Sequence, residues 1–247
     1  TALESYLPYL GNVAKGQDLV TFGFQAGLKS INALYVRADS DYETIQDLKG
    51  KRIGVWSFGS STVQAFEALI AERTGLNLRK DFETTTAAPP ALIGLLDSGK
   101  IDAVIDVSSL TIKMEAQPEK YRNVVGLNEM WLDEAGHTLP LTSWWCKSSW
   151  YKNNTDVAAA MVNASKEAVQ YWRDNTKDIL QRWGEPASLT TEDQIDVVDE
   201  MASQGHVFLK DQNQDFVDSA WEFASLMEEH GYIDSVPAQS DVLKNPV

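Results

Sequence analysis

The most constraining feature of the sequence is a regular alternation of strand-like and helix-like segments between residues 52 and 105. Short apolar or β-branched runs predict strands at residues 52–56, 81–86 and 101–105. A helix is predicted between each pair of strands, and in the first one the apolar residues Val63, Phe66, Leu69 and Ile70 recur at helical spacing. This order of elements is typical of a parallel sheet that is covered by helices.

Local signals predict where these helices begin and end. Ser61 and Gln64 have the spacing of a capping box, and Pro89 suits the first turn of the second helix. Gly75 and Gly99 are predicted to end the two helices, because glycine readily adopts the left-handed conformation that follows many helices.

The rest of the chain is mainly helical in pattern. Helices are predicted at residues 156–183, 191–201 and 214–229, and the second of them begins with a capping-box sequence at Thr191. The glycines that follow these helices at C′-like positions are Gly184, Gly205 and Gly231. Residues 139–146 form an aromatic, strand-like segment, which we interpret as a connection between lobes.

The charge and the hydropathy pattern exclude several classes of function. The 247 residues include 21 Lys and Arg against 36 Asp and Glu, which gives a formal net charge of −15. Because nucleic-acid binding needs clustered cations, this balance argues against a nucleic-acid partner and against an anionic membrane surface. The longest uncharged apolar stretch, residues 84–96, is shorter than the about 20 residues that a membrane-spanning helix needs.

Residues that could hold a metal or act as nucleophiles are few. Cys146 is the one cysteine, and the three histidines, His137, His206 and His230, are far apart in the sequence. No zinc site is therefore predicted. Cys146 is an alternative nucleophile, although cysteine is often a buried apolar residue and this one follows two tryptophans.

Three motifs occur in a fixed order along the first hundred residues. Residues 33–40 read ALYVRADS, residues 47–55 read DLKGKRIGV, and residues 95–103 read LLDSGKIDA. A Gly/Ser loop and a helix that ends in Thr74-Gly75-Leu76 follow the second motif. In order and spacing, these motifs resemble the solute-binding proteins of the nitrate, sulfonate, taurine and thiamine-precursor class of ABC importers.

The resemblance implies an α/β, two-lobed type II periplasmic-binding-protein fold, in which each lobe is a mostly parallel sheet flanked by helices. It implies that residues 1–40 and 141–247 form the first lobe and that residues 41–140 form the second. The family carries further strand-helix units upstream of the position of Thr1, so the first lobe is expected to be N-terminally incomplete. Hinge closure is expected around residues 33–37 and 141–146.

The resemblance also implies a function. We expect an extracytoplasmic protein, lipid-anchored or soluble, that captures a small polar solute and delivers it to an ABC transporter permease in the membrane. We expect a monomer with no cofactor and no enzyme activity. Two alternatives stay open: an enzyme on the same fold, either a desulfinase or a pyrimidine-precursor synthase, with Cys146 as nucleophile, and the ligand-sensing domain of a transcription regulator.

The strongest candidate site is the loop and first helical turn at Ser57, Gly59, Ser60, Ser61 and Thr62. Gly59 lets the backbone come close to a ligand, and the hydroxyl groups add to the free amides of the helix N-terminus. Sulfonate, carboxylate or nitrate would suit this place. The alternative is that Ser61 only caps a helix and that Gly59 only turns the chain.

Further candidate site residues are Asp106, Ser108, Trp144, Trp56, Glu4 and Ser5. Asp106 follows the predicted strand at residues 101–105, so it either contacts the ligand or is a helix N-cap. The side chains of Trp144 and Trp145 alternate, so one indole is expected to face a lobe core and the other the cleft; the alternative is that either one only packs in the core or at the hinge. An aromatic wall combined with Glu4 and Asp106 would favour a cationic or heteroaromatic ligand over an oxyanion.

Overall fold

The computed structural model describes residues 1–27, 32–136, 138–204 and 214–244. The chain divides into two compact units. Unit 1 comprises Thr1–Leu28, His137–Thr176 and Ala202–Val247, and unit 2 comprises Lys29–Gly136 and Lys177–Met201. The lobe bounds at residues 40 and 140 stay a prediction.

Both units contain strands and helices. The strands are β1 (Ala2–Ser5), β2 (Leu19–Gly27), β3 (Asn32–Arg37), β4 (Arg52–Val55), β5 (Glu83–Thr86), β6 (Ala103–Val107), β7 (Tyr121–Gly126) and β8 (Pro140–Lys147). The α-helices are α1 (Tyr6–Ala14), α2 (Ser61–Thr74), α3 (Pro89–Asp97), α4 (Ser108–Glu115), α5 (Leu127–Ala135), α6 (Ser148–Asn153), α7 (Thr155–Asp174), α8 (Thr176–Trp183), α9 (Glu192–Ser203), α10 (Gln214–Glu229) and α11 (Gln239–Val242). Short 3-10 helices span Gln46–Leu48 and Glu185–Ala187.

The sheet of unit 2 has the strand order β5-β4-β6-β3-β7 among the described residues. β4 pairs parallel with β5 and with β6, as the strand-helix alternation predicts. β3 is antiparallel to both of its neighbours, β6 and β7, so the sheet is mixed. The expectation of a mostly parallel sheet is therefore wrong at β3. This strand lies between β6 and β7, which both come much later in the chain, so the local strand-helix alternation does not indicate its direction.

The core of unit 2 forms on the two faces of this sheet. All four apolar residues predicted for one face of α2, from Val63 to Ile70, are fully buried, which confirms the helical periodicity. A second cluster contains Tyr35, Leu92, Leu96 and Val104 and lies between α3, α4 and the sheet. Burial of this apolar surface is the main stabilising contribution.

The ends of α2 and α3 agree in part with the predictions. Gly75 is the C-cap of α2 at φ 69°, and Pro89 begins α3. The Ser61–Gln64 capping box is wrong, because the N-cap is Ser60 and Gln64 is then the fourth helical residue rather than the third. Its amide bonds the Ser60 carbonyl at 3.0 Å, and its side chain donates to the Phe58 carbonyl.

The sheet of unit 1 is antiparallel in its described strands, with the order β1-β8-β2. A mostly parallel sheet was expected here too, and that detail is wrong. Residues 139–146 are also not a mere connection, because β8 pairs along one side with β1 and along the other with β2. The central position of β8 requires partners more than a hundred residues away, which no local pattern indicates.

The two faces of this sheet bury different aromatic residues. Trp145 stacks on Tyr9 of α1 at 5.0 Å between ring centroids. On the other face, Phe22 stacks on Trp144 at 6.4 Å and belongs to a cluster with Cys146, Ala158 and Val162. A bulge in β2 places the four residues from Thr21 to Phe24 opposite the three from Trp145 to Ser143 in β8, so that Phe24 returns to the face of Trp145.

The predictions for the C-terminal helices are confirmed in part, since α10 spans the predicted residues 214–229 and Gly231 after it has φ 74°. Thr191 and Gln194 form the predicted capping box, in which each backbone N–H reaches the other side chain. The helix predicted at residues 156–183 is interrupted at Asn175. Gly184 has φ −72° and is needed for a different reason, because a Cβ there would lie 2.4 Å from the Leu189 carbonyl oxygen. Gly205 lies outside the described residues.

Two buried threonines of unit 1 allow a paired prediction about stability. The Thr21 hydroxyl is fully buried and has no hydrogen-bond partner among the described residues. The Thr176 hydroxyl, equally buried, donates to the Trp172 carbonyl at 2.8 Å. We expect Thr21→Val to raise the free energy of unfolding by about 1 kcal/mol and Thr176→Val to lower it by about 1 kcal/mol. Denaturant unfolding measures both, and a loss in Thr21→Val equal to that in Thr176→Val would contradict the assignment.

Candidate functional site

The predicted site residues of unit 2 lie at one edge of its sheet. β4 and β5 end there in register, since Val55 is the Cα partner of Thr86, and β6 continues two residues beyond Ile105, its own partner of Val55. Because these strands are parallel, α2, α3 and α4 all begin at this edge. The carboxyl ends of parallel strands, where helix N-termini converge, are the usual ligand-binding edge of an α/β sheet.

The N-terminus of α2 is a part of this edge that suits an anion. Within the described chain, the amides of Ser61, Thr62 and Val63 have no hydrogen-bond acceptor. The Ser60 side chain makes no capping bond, and the first turn carries no acidic residue. Free N–H groups and the positive end of the helix dipole therefore remain available to a ligand.

The neighbouring helices are less suited to an anion. Pro89 and Pro90 occupy the first turn of α3 and have no N–H to donate. At the start of α5, the Glu129 carboxylate accepts the Gly126 amide at 2.9 Å and places a negative charge there. Compared with the starts of α3 and α5, the start of α2 thus combines free N–H donors with the absence of an acidic residue, which favours Ser57–Thr62 as the predicted anion site.

The loop before α2 is fixed by bonds that the sequence did not indicate. The Gly59 amide donates to Ser57 Oγ at 3.1 Å, and the Ser60 amide donates to the Ser57 carbonyl at 3.1 Å. Gln64 Nε2 donates to the Phe58 carbonyl at 3.3 Å. The Arg79 guanidinium lies 4.1 Å from the centre of the Phe58 ring. Arg79 was missed because it follows α2, away from any site motif.

Trp56 and Asp106 also lie at this edge. Trp56 follows β4, and its side chain is 44% exposed, so its indole face is open to a flat ligand. Asp106 was expected to follow its strand, but it is within β6 as the Cα partner of Ala33. The strand runs two residues further than predicted because Asn32 and Ala33 extend the pairing. Asp106 is therefore not an N-cap, and Ser108 is the first residue of α4.

The other predicted site residues belong to unit 1. Glu4 pairs with Ser143 and Ser5 with Thr142 across β1 and β8. Ser5 is the N-cap of α1 but makes no side-chain capping bond. Trp144 is half-buried against the cluster that contains Phe22, so packing within unit 1 accounts for its burial. Ligand contacts by these residues stay a prediction.

The surroundings of Cys146 do not activate a thiol. The side chain is 5% exposed and lies among Val20, Phe22 and Ala158. Burial raises the pKa of the Cys146 thiol, whereas a nucleophilic cysteine needs a lowered pKa. No group of three His, Cys, Asp or Glu side chains within the described ranges could hold a metal ion. His137 and His206 lie outside those ranges.

The sequence matches one family model. The model described as NMT1/THI5 like matches residues 5–179, which is more than half of the chain. No curated protein matches the chain significantly. In the part of the chain that the structure describes, no helix has the length and apolar character needed to span a membrane.

Solved structures share the fold at low sequence identity. The periplasmic aliphatic sulphonate-binding protein SsuA of Escherichia coli is 16% identical, with a TM-score of 0.75 over 98% of this chain and 74% of its own. The alkanesulfonate-binding protein SsuA of Xanthomonas axonopodis pv. citri, bound to MOPS, is 16% identical, with a TM-score of 0.65 over 98% of this chain and 80% of its own. The desulfurization enzyme DszB is 15% identical, with a TM-score of 0.67 over 98% of this chain and 82% of its own. These likenesses confirm the α/β, type II periplasmic-binding-protein fold.

Proposed function

The chain belongs to the NMT1/THI5-like family, and on that basis we propose that it is the solute-binding protein of an ABC importer. In this role it captures a small solute outside the cytoplasm and delivers it to a permease in the membrane. It acts as a monomer and needs no cofactor. The sulfonate-binding proteins that share its fold support this assignment.

One observation carries the proposal, namely the unpaired amides at the N-terminus of α2. They lie at the carboxyl edge of the parallel strands and have no acidic residue in the same turn. A sulfonate or nitrate group would accept hydrogen bonds from these amides and from the Ser61 and Thr62 hydroxyls. The exposed indole of Trp56 extends the proposal to solutes in which an aromatic or heterocyclic ring carries the anionic group.

A thermal-shift screen of the full-length protein tests this function. The panel is alkanesulfonates, taurine, nitrate, pyrimidines and aromatic carboxylates. A solute present at 100 times its Kd should stabilise the protein by about 2.7 kcal/mol, which raises the Tm by several degrees. Native mass spectrometry of the purified protein looks for a solute that was bound in the cell. If no solute of the panel raises the Tm and no solute co-purifies, the proposal fails.

Gly59 allows a test of whether the ligand approaches the backbone. Its φ is not in the left-handed region, and an added Cβ would be 3.6 Å from Ser57 Oγ, an ordinary contact. We expect Gly59→Ala to leave stability unchanged within about 0.5 kcal/mol. Its affinity for the solute found in the screen should fall about tenfold, because the methyl group occupies the space of the anion. Isothermal titration calorimetry measures this loss.

Gly94→Ala is the matched control for this substitution. Gly94 is inside α3, and an added Cβ would meet nothing within 4 Å. The control should be more stable by about 0.5–1 kcal/mol and should bind the solute like the wild type. Equal affinities in the two variants would remove Gly59 from the site.

A desulfinase-type activity is the alternative that the fold allows, since DszB has the same fold. The raised pKa of the buried Cys146 thiol speaks against it. If the wild-type protein turned over an aromatic sulfinate and a Cys146→Ser variant did not, the assignment would change from binding protein to enzyme.

A further inference from the structure

An ion pair in unit 2, with a buried carboxylate and a half-exposed guanidinium, connects α2 to the loop of the candidate site. Glu67 is in α2, and its side chain is 5% exposed. Both of its carboxylate oxygens accept hydrogen bonds from Arg79, at 2.6 Å from Nε and 2.9 Å from Nη2. Such a bidentate pair fixes the orientation of the guanidinium plane.

The backbone around Arg79 is itself held in place. Asn77 Oδ1 accepts the amides of Arg79 and Lys80 at 3.0 and 3.1 Å. The amide of Asn77 in turn donates to the Asp81 carboxylate at 2.8 Å. The segment after α2 is therefore an ordered turn that presents the Arg79 side chain toward α2.

The guanidinium contacts the loop at Phe58. Its central carbon lies 4.1 Å from the centre of the Phe58 ring, which is the geometry of a cation–π contact. The carbonyl of Phe58 accepts the Gln64 side-chain amide at 3.3 Å. Phe58 is thus held at its ring by Arg79 and at its backbone by α2, between the candidate residues Ser57 and Gly59.

We propose that Arg79 is a positioning residue, which fixes the loop before α2 through Phe58 and so pre-organises the free amides for the ligand. Arg79 does not act as the counter-charge of an anion, because Glu67 already pairs with its guanidinium. The consequence for affinity rests on the proposed function, whereas the ordering of the loop does not.

The test uses two double variants of unit 2. Glu67→Gln with Arg79→Gln removes the ion pair and the contact with Phe58 without leaving a charge buried. Arg52→Gln with Asp102→Asn removes another bidentate pair, with distances of 2.9 and 2.7 Å, at the opposite edge of the same sheet. An Arg79→Lys variant keeps the charge but loses the planar fork.

Hydrogen exchange at the amides of Gly59 and Ser60 in the unliganded protein gives the first readout. We expect exchange about tenfold faster in the Glu67/Arg79 variant, intermediate in Arg79→Lys, and unchanged in the Arg52/Asp102 variant. Equal exchange in the two double variants would overturn the proposal, because the loop would then be ordered without Arg79.

Affinity for methanesulfonate, measured by calorimetry, gives the second readout. If the wild type binds it, the Glu67/Arg79 variant should bind about tenfold more weakly than the Arg52/Asp102 variant. Unchanged affinity together with faster exchange would contradict the role in binding. If the wild type binds neither methanesulfonate nor any solute of the panel, the proposed function fails, and the exchange result still decides whether Arg79 orders the loop.

Discussion

Replacing Ser61 with Asp should abolish anion binding while slightly stabilising the protein. The carboxylate would lie in the first turn of α2, where it interacts favourably with the helix dipole by about 0.5 kcal/mol. The same charge would repel an anion at the free amides by about 4 kcal/mol at 4 Å and an effective dielectric constant of about 20. This repulsion corresponds to roughly a thousandfold weaker affinity. Calorimetry with the anion found in the screen and thermal unfolding measure the two effects.

Ser61→Asn is the matched control, because it has nearly the shape of Asp without the charge. We expect it to bind within about threefold of the wild type, as its amide can still donate to an anion. Equal affinity of the Asp and Asn variants would mean that the anion does not bind at the N-terminus of α2. A neutral or cationic ligand at Trp56 and Asp106 would then be the better hypothesis.

Replacing Trp145 with Ala should strongly lower the free energy of unfolding. The indole is 1% exposed, stacks on Tyr9, and lies in the central strand β8 between Ala2 and Thr21. Truncation would leave a large cavity in the core of unit 1, at a cost of about 3–5 kcal/mol. For a chain of this size we expect the Tm to fall by about 10 °C.

Trp183→Ala is the matched control, since the Trp183 side chain in α8 is 72% exposed. It should change the free energy of unfolding by less than about 0.5 kcal/mol. Calorimetry follows both variants, because the two units need not unfold in one transition. A Trp145→Ala variant as stable as Trp183→Ala would contradict the packing of β8 as a buried central strand.

The parts of the fold that the sequence predicted are those made by neighbours along the chain. The β4-α2-β5-α3-β6 order, the buried face of α2 and the left-handed Gly75 all follow from local patterns. The capping box at Thr191 was recognisable for the same reason. At Ser61 the same pattern failed, because the N-cap is Ser60, one residue before the predicted cap, and neighbouring serines make either position a plausible cap.

In the candidate site, too, the sequence predicted the local features and not the contacts between distant residues. The Ser57–Thr62 loop was identified because a Gly/Ser loop between a strand and a helix is a local signal for a ligand-binding N-terminus. Arg79 and Glu67 could not be found, because an ion pair that spans twelve residues and a ring contact across the end of a helix have no sequence signature. The packing of Trp144 on Phe22 depends in the same way on a distant partner.

The sequence by itself determined the α/β alternation, the phase of the helices and most of their ends, since side-chain periodicity and backbone preferences act within a few residues. It also indicated, through its acidic charge and its family resemblance, which classes of partner to exclude and which fold to expect. Only the tertiary structure decided that β3 runs against its neighbours, that β8 is the centre of an antiparallel sheet and that Arg79 reaches Phe58. These features depend on hydrogen bonds and contacts between residues that are far apart in the chain. Such interactions stabilise the fold only after the distant segments have come together.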